Sequence, residues 1–522
     1  MTKPDTDHIM AIDLGTSGPK VALVGADGCV RACETAPTKL HLLPEGGAEQ
    51  DPADWWQAVG RASRRLLARD GIDAAAVAGV CCTGQWSGTV PVDRDGRPLG
   101  RAIIWMDSRG APHVKRLTAG PLRLFGYGID KLYTWIRLTG GIPGHSGKDP
   151  IAHILYLKAE APALYAAAHK FLEPKDYLNF CLTGRLAASF DSIILHWLTD
   201  NRRIDAIRYH PDLMALSGID EAKLPALKRA IDILGPLTPV AAAHLGLPPG
   251  LPVVMGAPDL HTAAIGSGAV KDFETHLYIG TSSWLTCHVP FKKTDLRHNM
   301  ASLPAAIPGR YLLANEQENA GACLNFLREE LLGAAVAADD WDTLERLAAG
   351  TPAGSHGVIF TPWLYGERTP VEDGSIRGGF HNLSLTAGRG ALVRAVMEGV
   401  ALNTRWLKGY VQKFIGRPLE TIRMVGGGAR SDLWCQIMAD VLECTIHQIE
   451  NPVEVNARGA GILAAVALGA GTFDTIAAGL TIRRSYAPNP VHGDRYAAMF
   501  RAFKDFYRAH RKICARLNRG RA

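Results

Sequence analysis

From His8 onward the chain alternates short apolar runs with glycine-rich turns. Ile9 to Leu14 is apolar except for Asp13, which predicts a buried strand. Gly15-Thr16-Ser17-Gly18 then predicts a tight turn, with Lys20 to Val24 as the return strand and Ala26-Asp27-Gly28 leading into a third. Asp51 and Pro52 carry the capping and first-turn chemistry that starts a helix. Trp56, Val59, Leu66 and Leu67 are its expected buried face, and Asp70-Gly71 its end. Val77 to Cys82 and Ala102 to Trp105 predict further buried strands, so the fold class is mixed α/β.

One pattern recurs far along the chain. Ala11-Ile12-Asp13-Leu14-Gly15-Thr16-Ser17 is echoed by Leu277-Tyr278-Ile279-Gly280-Thr281-Ser282, with Tyr278 standing where Asp13 stands. An echo at this separation predicts duplicated domains rather than a solenoid of short repeats. At 522 residues the chain also exceeds what one hydrophobic core organises. The small residues Gly266-Ser267-Gly268 interrupt two structured runs, so the expected domains are 1–267 and 268–522, with a cleft between them.

Later patterns add detail. Val253-Val254 reads as a strand whose exit carries Met255-Gly256-Ala257-Pro258-Asp259 toward a small-residue helix, and Ile422 to Val425 reads as a strand leading into Gly426-Gly427-Gly428. Leu433 to about Leu442 predicts a helix after that turn. Gly459 to Gly471 is the longest apolar stretch, shorter than the ~20 residues that span a bilayer, and is expected as a core helix. The tail from Phe500 to Arg521 places Phe503, Phe506, Ile513 and Leu517 at helical spacing, with basic residues between them. It is expected to dock as a terminal helix with a solvated basic face.

Composition narrows the class. A hydrophobic fraction of 47% with 21% charged residues argues for a folded globular chain rather than a disordered one. The 57 basic and 51 acidic residues leave a net +6 spread along the chain outside the tail, so neither nucleic acid nor membrane is an expected partner. The ten cysteines form no C-x-x-C pair, and charged opening residues run directly into His8, which together point to a reducing cytoplasm. His, Cys and carboxylate spacings match no zinc motif.

The polar residues at the turns suggest phosphoryl transfer, which needs phosphate donors, a cation and a base for the accepting hydroxyl. Gly15 to Gly18 offers backbone N–H groups, the hydroxyls of Thr16 and Ser17, and the nearby ammonium of Lys20. Gly280, Thr281 and Ser282 repeat the donor set, so the two turns can clamp a polyphosphate such as that of ATP. Gly427, Gly428 and Ala429 leave a flat adenine or ribose room to approach the backbone. Asp13, at a strand end, suits hydrated Mg2+, and Asp259, at a strand exit, suits a general base. Taken singly, each also fits a plainer role: a tight hairpin, a glycine-rich connection capped by Ser431 or Asp432, or an N-capping Asp259.

Together these blocks resemble the FGGY family of carbohydrate kinases, most closely its xylulokinase branch. The resemblance spans nearly the whole chain. It rests on Asp13 to Ser17, Trp105-Met106-Asp107-Ser108-Arg109, Lys175-Asp176-Tyr177-Leu178 with Leu182-Thr183-Gly184, Gly256 to Asp259, Gly366-Glu367-Arg368-Thr369-Pro370, Arg394 to Val400, and Gly426 to Asp432. It implies two actin/hexokinase/Hsp70-like (ribonuclease H-like) domains closing on ATP, Mg2+ and a small sugar or polyol, with a homodimer common in such families. It implies Asp259 as catalytic base, Asp13 on the magnesium side, Thr16, Ser17 and Lys20 at phosphates, and Thr281, Gly321, Asn325, Gly428 and Asp432 as nucleotide contacts. Gln85, Trp86, Ser87, Trp105 and Asp107 would meet the sugar.

The chain departs from the pattern twice. Gly84-Gln85-Trp86-Ser87 stands where xylulokinases resemble Gly-Gln-Met-His and glycerol kinases Asn-Gln-Arg-Glu, so the acceptor is open; Trp86 either stacks on a sugar's C–H face or packs in the core. Thr139 to Asp149 lacks the family's Pro-Lys and is expected as a lid. A pentulose is the expected acceptor class, and the rival function is a nucleotide-binding sugar sensor or scaffold of the same fold. Retention of Asp259 with both phosphate turns favours the enzyme.

Overall fold

The computed structural model describes residues 8–333 and 340–518, organised around two large sheets. In the first, the strand order is Ile233–Pro236, Pro252–Val254, Val77–Gly84, His8–Gly15, Gly18–Gly25 and Val30–Thr35. The central strand His8–Gly15 pairs antiparallel with its hairpin partner Gly18–Gly25 and parallel with Val77–Gly84. In the second sheet Thr275–Ile279 takes the same place. It pairs antiparallel with Ser283–Val289 and parallel with Thr421–Val425, beyond which Thr445–Ile449 also runs parallel. The sequence echo is therefore a repeated sheet topology.

In both sheets, the parallel neighbour of the central strand runs straight into a turn that carries polar or glycine residues. Gly84 leads into Gln85, and Val425 into Gly426. Open α/β sheets place ligands at such carboxyl ends. Gly256 shapes a third exit. Its φ of 72° is left-handed, and a Cβ there would lie 1.9 Å from the Cys82 carbonyl oxygen, so only glycine lets the chain turn against the neighbouring strand before Asp259.

The helix at Pro52–Leu67 is capped by the Asp51 side chain, which accepts from Ala53 N. Its buried face runs through Trp55, Val59, Ala62 and Leu66 rather than through Trp56 and Leu67. Trp56 instead stacks on His244 with centroids 4.4 Å apart. Adjacent tryptophans satisfy the apolar pattern equally, and packing against the sheet chose between them. The expected strand Ala102 to Trp105 is shorter, covering Ala102–Ile103.

The expected core helix is Val455–Ala467, and it packs on the first sheet although it lies late in the chain. A Cβ on Gly461 would sit 2.5 Å from Val24, so glycine is what allows the close approach. The C-terminal helix Gly493–Leu517 buries Tyr496, Met499, Phe503 and Tyr507. Ile513 and Leu517 are exposed, while Cys514 between them packs on the core and Asn518 Nδ2 donates to the Ser375 carbonyl at 2.9 Å. Positions 519–521 of the expected tail helix lie outside the described residues. Among the described residues no helix is long and apolar enough to cross a membrane.

Candidate active site

Asp13 and Lys20 are directly opposite each other in the first hairpin, which places both side chains on one face. Lys20 Nζ donates to Asp13 Oδ2 at 3.2 Å. The Asp13 charge outweighs the effect of burial and keeps the Lys20 ammonium protonated well above the ordinary lysine range. The turn between them depends on Gly18, whose φ is 134° and where a Cβ would fall 2.0 Å from the Ala36 carbonyl oxygen.

Asp259 begins the helix Asp259–Gly266, and its Oδ1 accepts from Leu260 N at 2.8 Å. Burial and then the negative charge of Asp13 push its carboxyl up to about 8, with Glu316 adding to the effect and Lys20 and the Leu260 N–H opposing it. A carboxyl with that affinity is matched to proton transfer near neutral pH. Tyr278, at the position equivalent to Asp13 in the second hairpin, feels Lys20, Asp13 and Asp259 electrostatically. Its ring stacks on Trp284 at 4.1 Å between centroids. The two hairpins therefore meet across the cleft.

The turn at Thr16 and the turn at Gln85 are linked by hydrogen bonds. Trp105 Nε1 donates to Thr16 Oγ1 at 3.0 Å, and Thr16 Oγ1 lies 3.5 Å from Gln85 Oε1. Gln50 ties them further, donating to the Thr16 carbonyl at 2.7 Å and accepting from Gln85 Nε2 at 2.8 Å. Ser17 is exposed at the tip.

Trp86 is half-buried, its Nε1 donating to the Ser192 carbonyl at 2.8 Å and its ring edge-on to His261 at 5.3 Å. It packs against an apolar cluster that includes Leu260 and Trp284 and so draws on both halves of the chain. Ser87 has a left-handed φ of 67° and donates its hydroxyl to the Lys148 carbonyl at 2.8 Å. Asp107 is deeply buried. It accepts from Ala48 N at 2.9 Å and pairs with the Arg109 guanidinium, which also reaches Glu49 at 2.7 Å. Asp107 thus shapes this wall through backbone and arginine contacts.

Three glycine sites converge in the second half around Ile279 and Gly280. Gly321 N donates to the Gly280 carbonyl at 2.8 Å, and a Cβ on Gly321 would lie 2.5 Å from that oxygen. The Thr281 carbonyl accepts from Ala320 N at 2.8 Å, while Gly280 N closes the turn on the Ser282 carbonyl at 3.0 Å. A Cβ on Gly428 would lie 2.4 Å from Ile279 Cγ2, whereas Gly427 faces open space. One turn into the helix Gly321–Phe326, Asn325 has a buried Oδ1 without a hydrogen-bond partner among the described residues. The Ala429 carbonyl accepts from Gln448 Nε2 at 2.8 Å, and the same amide reaches Asp432 Oδ1 at 3.1 Å. Asp432 opens the helix Asp432–Leu442 and faces Arg483 and Arg484.

Sequence reading assigned no role to Tyr278, Glu316, Lys148 or Arg368, although Arg368 lies in the Gly366 to Pro370 block. Tyr278 was visible only as the mismatch in the echo. Arg368 Nη1 pairs with Glu316 Oε2 at 2.5 Å and its Nε with Glu318 Oε1 at 2.5 Å. No local signal marks the pairing of these charges, because each partner is distant in sequence. Among the described residues no group of three or more His, Cys, Asp or Glu side chains forms a metal-binding cluster.

The repeated sheet topology, a central hairpin flanked by a parallel strand in each half, is that of the actin- and hexokinase-like fold of the ribonuclease H-like type. Within that class, the chain belongs to the FGGY family of carbohydrate kinases, whose N-terminal domain matches residues 8–266 and C-terminal domain residues 277–468. It is 28% identical to a xylulose kinase of Staphylococcus epidermidis over 522 residues, covering 98% of each chain. It is 24% identical to a gluconokinase of Bacillus licheniformis, covering 97% of this chain and 96% of that one. The crystal structure of xylulose kinase from Rhodospirillum rubrum is 28% identical, with a TM-score of 0.81 over 97% of this chain and 99% of that one.

Proposed function

We propose that this carbohydrate kinase transfers the γ-phosphoryl group of ATP to a hydroxyl of a sugar or polyol, a pentulose being the favoured class, with Asp259 as general base. The observation that carries the reading is the Asp259 carboxyl, raised to about 8 beside the Asp13–Lys20 pair and opposite the second hairpin. Asp259 takes the proton of the attacking hydroxyl as its oxygen bonds to the γ-phosphorus, and the β–γ bridging P–O bond breaks to release ADP. Such a base contributes a factor of roughly 10²–10⁴.

Thr16, Ser17 and Lys20 hold phosphate oxygens from one side, and Gly280, Thr281 and Ser282 from the other. Gly321, Asn325, Gly427, Gly428, Ala429 and Asp432 form the nucleoside side. The unpartnered Asn325 Oδ1 and the open face of Gly427 support this assignment. Gln85, Trp86, Ser87 and Trp105 line the acceptor side, with Asp107 and Arg109 behind them. Asp13 fits magnesium, which keeps several waters and takes one or two carboxylates. Were the ion bound there, it would supply charge neutralisation at the phosphates.

Similarity to xylulose kinases supports a pentulose, whereas Trp86 and Ser87 mark a different acceptor wall. A coupled assay of ADP release over ketoses, aldoses and polyols tests the proposal. Turnover with one or a few sugars is expected; ATP binding with silence across the panel would replace the kinase with a sensor.

A further inference from the structure

The segment Thr139 to Asp149, expected as a lid, is packed into the body. Gly140 to Pro143 and Gly147 are buried, and Gly147, with φ 75°, approaches Ala111 so closely that a Cβ would lie 2.1 Å from its nitrogen. Asp149 Oδ2 accepts from Gly144 N at 2.8 Å and from Trp197 Nε1 at 2.8 Å, which closes the loop upon itself and upon the first half.

Lys148 leaves this braced loop in two directions. Its carbonyl receives the Ser87 hydroxyl at 2.8 Å, and its ammonium donates to Glu318 Oε1 of the second half at 3.2 Å. Both charged side chains are only 11% exposed, so water screens the pair poorly. Burial works against the charge of Glu318, yet Arg368 and Lys148 hold its carboxyl below the usual range. Arg368 carries the connection on to Glu316, whose charge reaches Asp259. Contacts thus run from the turn at Ser87 through Lys148, Glu318 and Arg368 to Glu316, whose charge acts through space on Asp259.

We infer that Lys148 is a positioning residue that ties the acceptor turn at Ser87 to the second half through Glu318, holding the two sides of the cleft in register for transfer to the sugar. The inference deepens the proposed function and rests on it. The tie acts on alignment rather than on chemistry, because Lys148 reaches the acceptor side only through its backbone carbonyl. Lysine suits the task. Its flexible stem spans the cleft, and its ammonium also lies 5.4 Å from the Tyr365 ring of the second half.

Small-angle X-ray scattering of the full chain compares wild type, Lys148→Ala and Lys148→Arg, each without ligand. Lys148→Ala is expected to have the larger radius of gyration, with Lys148→Arg matching wild type; equal radii for wild type and Lys148→Ala overturn the tie. Kinetics with a sugar found active in the ADP-release panel adds a second readout. Lys148→Ala should raise the acceptor KM at least about fivefold, the lower end of coupling between distinct sites, with rescue by Lys148→Arg. Glu318→Gln should move the acceptor KM in the same direction and add little to Lys148→Ala in the double variant. An acceptor KM unchanged in Lys148→Ala removes the positioning role and leaves the kinase standing. A wild type that transfers to no sugar counts against the kinase, while the scattering still decides the tie.

Discussion

A Cβ placed on Gly459 would lie 1.9 Å from the carbonyl oxygen of Thr262, so the helix that begins with Asp259 crosses the helix Val455–Ala467 backbone against backbone. Gly266 repeats the contact, with its Cβ position 1.9 Å from the Val455 carbonyl oxygen. Asp259, the proposed base, therefore stands on a helix braced by another from late in the chain. Gly459→Ala should separate these helices and lower the melting temperature. It should also lower kcat more than it alters either KM, because it moves the base relative to the acceptor without touching a ligand. Differential scanning calorimetry and steady-state kinetics check both effects; an unchanged melting temperature would show that the crossing tolerates a methyl group.

Asp259→Asn is expected to reduce kcat by roughly 10²–10⁴ while leaving the ATP dissociation constant within a few fold, since the carboxyl acts on the acceptor. Isothermal titration with a non-hydrolysable ATP analogue separates the two. Turnover at the wild-type level would transfer the base role elsewhere.

The raised affinity of Asp259 sets a pH dependence. The base works when ionised, so kcat/KM should rise with pH through about 8 and level off above it. Stability has the opposite sign. The folded carboxyl binds its proton more tightly than the unfolded one, so folding favours the protonated form, and that contribution is lost as pH rises through about 8. Asp259→Asn should therefore melt higher than wild type at pH 9, with a smaller gain at pH 5. Thermal melts at the two values decide it.

Trp86→Ala should raise the acceptor KM far more than the ATP KM, and Trp86→Phe should recover part of the loss, because the ring face rather than the indole N–H would meet the sugar. Equal changes in both constants would instead assign Trp86 to the packing it shares with Leu260 and Trp284.

Gly321→Ala puts a methyl group 2.5 Å from the Gly280 carbonyl oxygen and must push the helix Gly321–Phe326 off the second turn. The ATP KM should rise roughly tenfold or more, about 1.4 kcal/mol in binding, with the acceptor KM little changed. Unaltered ATP affinity would place the nucleotide away from this turn.

Much of the site was legible locally. Asp13, the Gly15 to Gly18 turn and Lys20 form a continuous hairpin, and a hairpin's register follows from neighbours in the chain. The exit of Val253-Val254 toward Asp259 was legible for the same reason, since an apolar strand, a left-handed glycine and a proline directly before the helix are all written within a few residues. The repeat of Gly280 to Ser282 was enough to expect a second turn.

Amino-acid order alone placed the first hairpin, the start of the first helix, the duplicated turns and the family resemblance, because propensity, capping and apolar alternation act over short spans. Tertiary structure alone decided that Trp55 rather than Trp56 faces the core, that Val455–Ala467 crosses to the first sheet, and that Lys148 meets Glu318. Those outcomes depend on which surfaces the sheets present to one another and on charges 170 positions apart that burial brings within 3.2 Å, a proximity that no local pattern encodes.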